Sequence, residues 1–221
     1  MPTANNQMQH YSLITRLLIA CGAIGPLLFI LVFLVEGATR PSYSAWRNFV
    51  STLSLGNQGW EQITNFLVCG LLVLCFAVGL RWVLRKEKGA LWGPILLGVF
   101  GLGQVVAGIF VTGPSISFFP GTPGINPSTI HGVAGLFVFA SLSAACFVLA
   151  RRFANDPNWR GWRPYSIITG VVVAVFFVAS IASSVLDERG ILPGAPTGLL
   201  QRIVIIAGWC WVALLALRLL R

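Results

Sequence analysis

Charged residues are scarce in this chain. They make up 10% of its 221 residues, whereas hydrophobic residues make up 56%. A water-soluble domain needs about a quarter of its residues charged to cover its surface, so the sequence excludes that class. Acidic residues are the scarcest, at six against fifteen Lys and Arg. The resulting net charge of +9 does not indicate nucleic-acid binding, because the basic residues flank apolar stretches and form no single stripe.

Metal-binding and catalytic motifs are also missing. His131 is the one histidine outside the polar amino end, which excludes multi-histidine zinc sites and bis-histidine haem ligation. The five cysteines lie in apolar stretches and form no C-x-x-C pair, so disulfides and thiolate metal sites are not indicated. The chain has neither a G-x-S-x-G nor a nucleotide-binding motif. We therefore predict no metal, no cofactor and no catalytic residues.

What the chain does have is a series of long apolar stretches. Each is long enough to cross about 30 Å of hydrocarbon as a helix. They predict an all-α, six-transmembrane-helix bundle over residues 13–221, after a polar cytoplasmic tail at residues 1–12. The predicted spans are residues 17–35, 63–83, 91–112, 130–150, 165–186 and 199–217.

Positive charge is sorted onto alternate loops between these stretches. Eleven of the fifteen Lys and Arg lie at the two ends of the chain or near the second and fourth loops, and the exceptions are Arg40, Arg47, Arg189 and Arg202. Cytoplasmic loops are enriched in Lys and Arg, so the pattern predicts both termini in the cytoplasm. We expect a multi-pass protein of the cell (inner) membrane whose basic loops contact anionic lipids.

The first extracytoplasmic loop carries a helical pattern. Trp46, Phe49, Val50 and Leu53 are spaced i, i+3, i+4 and i+7. This spacing predicts a short amphipathic helix lying on the outer surface, where it would roof the bundle. In the third span, a face of Gly101, Gln104 and Gly108 predicts close packing against a neighbouring helix.

Polar residues gather at the predicted extracytoplasmic ends of the helices. Such residues are costly at membrane depth and indicate function. Arg202 and Trp209 share a helix face, although Arg202 could instead reach the interface or pair with an acidic residue, and His131 could simply cap a loop. The candidate ligand-binding residues are Arg202, His131, Arg47, Gln201, Glu36, Ser51, Ser54 and Trp209.

These observations favour a binding protein over an enzyme. We predict an intramembrane pocket, open to the extracytoplasmic side, that binds a lipid or small amphiphile, with transport or sensing as roles that such binding would serve. An anionic or strongly polar head group would suit the basic residues at its mouth. The alternatives are an accessory or assembly subunit of a larger membrane complex, and a membrane-embedded hydrolase or transferase acting on a lipid-linked substrate. Expected partners are membrane lipids, a membrane-protein partner or a second copy of the chain.

Short motifs spread along the chain resemble one known family. They are Gly25-Pro26, Tyr43-Ser44, Ser51-Thr-Leu-Ser54, Gly108-Ile-Phe110, the histidine His131, and Gly198-x-x-Gln-Arg202. Over about residues 13–217 the chain resembles the six-span prokaryotic membrane proteins grouped as domain of unknown function 998. The resemblance implies a six-helix membrane protein and no established activity, so it implies no catalytic residues.

Overall fold

A computed structural model describes residues 12–84, 91–113, 127–154 and 156–221. Within these ranges the chain forms six α-helices, each long and apolar enough to cross a membrane. This finding confirms the predicted all-α six-helix bundle. The helices are α1 Leu13–Thr39, α2 Gly59–Leu84, α3 Trp92–Ile109, α4 Pro127–Phe153, α5 Trp162–Glu188 and α6 Thr197–Leu219.

The helices are apolar on all sides, as expected for helices surrounded partly by protein and partly by lipid. Large apolar side chains such as Leu17, Leu31 and Val178 are about 60% exposed on the outside of the bundle. Local signals fix several helix ends. The Ser12 hydroxyl accepts the N–H of Thr15 at the start of α1, and Pro127 is the first residue of α4.

The helices form a closed ring. Each helix contacts the next along the chain, and α1 contacts α6. Sequential helices run in opposite directions, so the loops lie at two ends of the bundle. We call the end that holds residues 40–58 and 189–196 the cap end, and the end that holds Arg81, Arg151 and Arg218 the basic end.

Trp209 of α6 fills the centre of the ring. It is 1% exposed, and its ring centroid lies 5.4 Å from Phe29, 4.7 Å from Phe100 and 5.9 Å from Phe139. These partners belong to α1, α3 and α4. One side chain therefore joins four helices, and the interior is packed around an aromatic cluster.

Between α2 and α3 the backbones touch. A Cβ atom built on Gly70 would lie 2.8 Å from the carbonyl oxygen of Gly101, and one built on Gly101 would lie 2.9 Å from the carbonyl oxygen of Gly70. Only glycine permits this approach, which van der Waals contact favours because lipid supplies no hydrophobic drive for helix association.

The segment at the cap end differs from the predicted amphipathic helix. Its helical part is a 3₁₀ helix, Val50–Ser54, and Phe49 before it is extended with φ −59° and ψ 150°. Val50 and Leu53 are buried as the spacing predicts, but Trp46 is 54% exposed. The carbonyls of Ala45 and Trp46 accept from Arg202 and from the first N–H groups of α6, and these contacts compete with the i+4 bonds that an α-helix over Trp46–Leu53 would need.

Candidate functional site

A cavity of about 140 Å³ lies inside the ring, toward the cap end. Its walls are mostly apolar and include the rings of Phe29, Phe66, Phe139, Phe177 and Trp209. Its roof is formed by Phe49, Val50 and Ser51 from the segment before α2. Gly132, Gly135 and Ile181, which line the cavity on α4 and α5, are partly exposed, so we infer that the cavity opens to the surface beside them.

Polar groups without partners are buried in the wall of this cavity. Gln104 is fully buried, and both its Nε2 and its Oε1 lack a hydrogen bond. The indole Nε1 of Trp209 is likewise buried and without a partner. A buried polar atom that makes no hydrogen bond costs about 1–3 kcal/mol. Gln104 and Trp209 line the same cavity, so an occupant with hydrogen-bonding atoms would remove that cost for both.

His131 lines the cavity and caps α3. Its Nδ1 lies 2.9 Å from the carbonyl oxygens of both Ala107 and Phe110, so Nδ1 carries the proton and donates to them. These carbonyls belong to the last turn of α3 and the residue after it, where a helix leaves its acceptors unpaired. This capping explains why α3 ends at Ile109, three residues before the predicted end of the third span.

The roof is fastened by Gln201 of α6. The Gln201 Oε1 accepts the backbone N–H of Val50 at 2.7 Å, and both residues line the cavity. Ser51 also lines the cavity, while the hydroxyl of Ser54 donates to the carbonyl of Ser51 at 2.6 Å. Gln201 and Ser51 thus belong to the cavity, and Ser54 shapes the turn behind it.

Arg202 binds backbone carbonyls of residues 40–58, which we call the cap segment, and one carbonyl of its own helix. Its Nη1 donates to the carbonyls of Ala45 at 2.7 Å, Asn48 at 3.1 Å and Gly198 at 3.0 Å, and its Nη2 donates to the hydroxyl of Tyr43. The contact is tight, since a Cβ built on Gly198 would lie 2.3 Å from the Asn48 oxygen. The Arg202 guanidinium therefore binds groups of the protein itself.

Tyr43 completes this clamp. Its hydroxyl accepts from Arg202 and donates to the carbonyl of Phe49 at 3.1 Å. Burial raises the pKa of the Tyr43 phenol above its ordinary value, although the neighbouring Arg202 opposes the shift. The phenol stays neutral and keeps its donor at physiological pH.

The other charged candidates also lie apart from the cavity lining. Arg47 is 54% exposed and pairs with Asp187, whose Oδ2 lies 3.3 Å from its Nη2. Glu36 is buried at the end of α1, where its Oε1 lies 3.6 Å from the Nη2 of Arg40. Arg40 in turn donates to the carbonyls of Leu55 and Gln58 at 3.3 and 3.0 Å. These charges hold the cap-end loops in place.

The predicted packing face of α3 is divided between two surroundings. Gly101 and Gly108 lie against α2, where Cβ atoms would meet Gly70 and Phe66 at about 3 Å. Gln104, between them in sequence, lines the cavity.

A buried polar group on α2 was not among the sequence candidates. Asn65 donates to the carbonyl of Phe29 and to the Oε1 of Gln62, each at 3.2 Å, and accepts from the thiol of Cys69 at 3.3 Å. The spacing i, i+3 and i+7 places Gln62, Asn65 and Cys69 on one helix face and would have revealed them. No group of three His, Cys, Asp or Glu side chains suited to a metal ion occurs in the described ranges.

Comparison with known proteins yields one match. The profile of a family described as "Protein of unknown function (DUF998)" matches residues 23–218. No curated protein and no solved structure matches the chain. The site must therefore be interpreted from its own geometry.

Proposed function

Since the chain belongs to the DUF998 family, whose description assigns no activity, we propose a function from the cavity itself: binding of a small amphiphile within the membrane. The apolar stretches make the chain a multi-pass membrane protein. We further propose that it resides in the cell membrane with both termini in the cytoplasm, because the basic end carries most of the Lys and Arg. The cavity then lies toward the extracytoplasmic side.

One observation carries the proposal. The cavity combines aromatic walls with the unpartnered polar atoms of Gln104 and Trp209 deep inside. Ligand sites are typically apolar hollows with a few polar groups that fix orientation. A cavity of about 140 Å³ encloses only a small molecule or one end of a longer one. The opening beside Gly135 would let the remainder of a longer molecule extend toward the lipid.

A pair of glycine substitutions tests the proposal. Gly135 lines the cavity and Gly98 does not, and a Cβ built on either residue meets no atom within 4 Å. Leucine should fit both helices and raise helix propensity equally. We expect Gly135→Leu to fill the opening and lower the occupancy of co-purifying lipid or added amphiphile, measured by native mass spectrometry from lipid nanodiscs. The occupancy in Gly98→Leu should equal that in the parent protein.

The loss of ligand occupancy should increase with the size of the side chain at position 135. Gly135→Trp is expected to lower occupancy further than Gly135→Leu, with both variants retaining the helical circular dichroism of the parent. Equal occupancy in the parent, Gly135→Leu and Gly135→Trp would contradict binding in this cavity.

A further inference from the structure

We propose that the cavity selects an uncharged amphiphile whose head is a hydroxyl group held by Gln104 and Trp209. This inference rests on the proposed function and names the chemical class of its ligand. It differs from the anionic head group that the basic residues suggested, because the structure places those residues elsewhere.

The charge of the lining is the first argument. Among the described residues that line the cavity, none is Lys, Arg, Asp or Glu. The guanidinium of Arg202 binds backbone carbonyls, and Arg47 pairs with Asp187 on the surface. The titratable side chain in the lining is that of His131, whose Nδ1 is held by the carbonyls of Ala107 and Phe110. A carboxylate or ammonium head would therefore enter a low-dielectric site that offers no fixed counter-charge, which is strongly unfavourable. A neutral head avoids this cost.

The hydrogen-bonding capacity of the lining is the second argument. Of the described residues lining the cavity, Gln104 and Trp209 contribute two unpaired donor atoms, the Gln104 Nε2 with two N–H groups and the Trp209 Nε1 with one, and one unpaired acceptor atom, the Gln104 Oε1. A hydroxyl has two lone pairs for the donors and one proton for the acceptor. A ketone or ester oxygen would accept from both donors but leave the Gln104 Oε1 unpaired. Among these uncharged heads, only the hydroxyl can therefore pair with both the donor atoms and the acceptor atom.

The volume of the cavity is the third argument, because water also supplies donors and acceptors. A water bound to Gln104 or Trp209 would leave most of the 140 Å³ beside Phe29, Phe66 and Phe139 unfilled. Apolar cavities of similar size stay dry and take up benzene-sized molecules. The occupant that fits both parts is an alcohol with an apolar body.

Eight-carbon compounds that differ only in the head group provide the probe. We would add octane, 1-octanol, 2-octanone, octanoate or octylamine to the full chain in phosphatidylcholine nanodiscs, a lipid whose head group carries no hydroxyl. The readout is the indole ¹H–¹⁵N resonance of Trp209, assigned by its loss in Trp209→Phe. We expect 1-octanol to shift this resonance and to bind at least tenfold more tightly than octane, since each net hydrogen bond contributes about 1 kcal/mol and the hydroxyl makes more than one. Octanoate should also bind at least tenfold more weakly than 1-octanol, because no lining residue carries a compensating fixed charge.

Two variants and a matched control complete the experiment. Gln104→Leu should reduce the preference for 1-octanol over octane, since only the Trp209 Nε1 then remains to bind the hydroxyl, while octane still binds. Gly135→Leu should weaken the binding of both compounds. Trp211→Phe is the control, because Trp211 is a buried indole on the same helix whose Nε1 donates to Ser166 at 2.9 Å, outside the cavity lining. It should leave the preference unchanged.

The possible failures are distinguishable. Tighter binding of octanoate or octylamine than of 1-octanol would overturn the uncharged head group while amphiphile binding stands. Equal binding of 2-octanone and 1-octanol would overturn the hydroxyl assignment. A Trp209 resonance that responds to none of the compounds, in the parent and in Gly135→Leu alike, would show that only water occupies the cavity and would overturn the proposed function as well.

Discussion

Arg202 illustrates how a buried charge is used in this protein. It is 8% exposed, yet its donors meet the carbonyls of Ala45, Asn48 and Gly198 and the hydroxyl of Tyr43. An arginine fork can reach several oxygens from one rigid position, which a lysine cannot do. The cap segment also accepts the first N–H groups of α6, since Gly198 and Leu199 donate to the carbonyl of Trp46. Side chain and backbone of α6 therefore hold the same segment.

Replacing Arg202 should destabilise the protein. Arg202→Met keeps the volume but leaves buried carbonyls unpaired, so we expect the free energy of unfolding to fall by about 2–4 kcal/mol. The free energy of unfolding of Arg202→Lys should lie between that of Arg202→Met and that of the parent. The measurement is circular dichroism during titration with sodium dodecyl sulfate in mixed micelles. Arg47→Met, which breaks a half-exposed ion pair, should cost less than about 1 kcal/mol.

The same variant separates two roles for Arg202. If Arg202 bound a ligand, as its position near the predicted pocket suggested, Arg202→Met would lower amphiphile occupancy at unchanged stability. If Arg202 instead clamps the cap segment through its hydrogen bonds to backbone carbonyls and Tyr43, Arg202→Met should lower the stability and leave the relative affinities for 1-octanol and octanoate unchanged. An unchanged free energy of unfolding would contradict the clamp.

Sequence could identify these polar residues but not their partners. Gln201, Ser51, His131 and Trp209 line the cavity, whereas Arg202 bonds to backbone carbonyls. Every residue has a carbonyl, so such a partner leaves no mark in the sequence. The unpaired state of the Gln104 amide was also hidden, because its helix face looked like a packing surface.

The contact between helices α2 and α3 depends on two glycines. Gly70 and Gly101 place backbone against backbone, and atoms of the main chain cannot move aside as a flexible side chain would. Gly98, on α3 close to Gly101, faces open space. The helix thus offers a tightly packed glycine and an unpacked one within the same apolar sequence.

This contrast predicts opposite effects of the same substitution. Gly101→Leu should lower the free energy of unfolding by about 1–3 kcal/mol or more, because it overpacks the interface between α2 and α3. Gly98→Leu should leave the stability of the fold at or above that of the parent, since it raises helix propensity without a clash. Both are measured by the same detergent titration. Equal stability of the two variants would exclude a close contact at Gly101.

Helices were the easiest elements to predict. Long apolar stretches such as residues 165–186 leave a buried backbone no choice but to satisfy its hydrogen bonds within the helix. The segment over Trp46–Leu53 was harder, because its apolar spacing suits an α-helix while its carbonyls are used by Arg202 and by the start of α6. The end of α3 was misjudged for a related reason, since the cap comes from His131 on another helix.

The ring of six helices has two chemically different ends. The basic end carries Arg81, Arg151 and Arg218, while the arginines of the cap end include Arg40 and Arg202, which bond to backbone carbonyls. Arginines that serve as internal clamps are fixed by the fold and contact lipid head groups less than free basic loops do. Two of the four departures from the charge pattern, Arg40 and Arg202, therefore have a structural explanation.

Cysteine labelling tests the proposed orientation in the membrane. Asn57 is exposed at the cap end and Ala154 at the basic end, and neither substitution to cysteine changes the charge. With the basic end in the cytoplasm, a membrane-impermeant maleimide should label Asn57→Cys in intact cells and Ala154→Cys only after permeabilisation. The parent is the control, since its five cysteines lie within the helices and should stay unlabelled in both conditions. Labelling of Ala154→Cys but not Asn57→Cys in intact cells would reverse the orientation and place the cavity toward the cytoplasm.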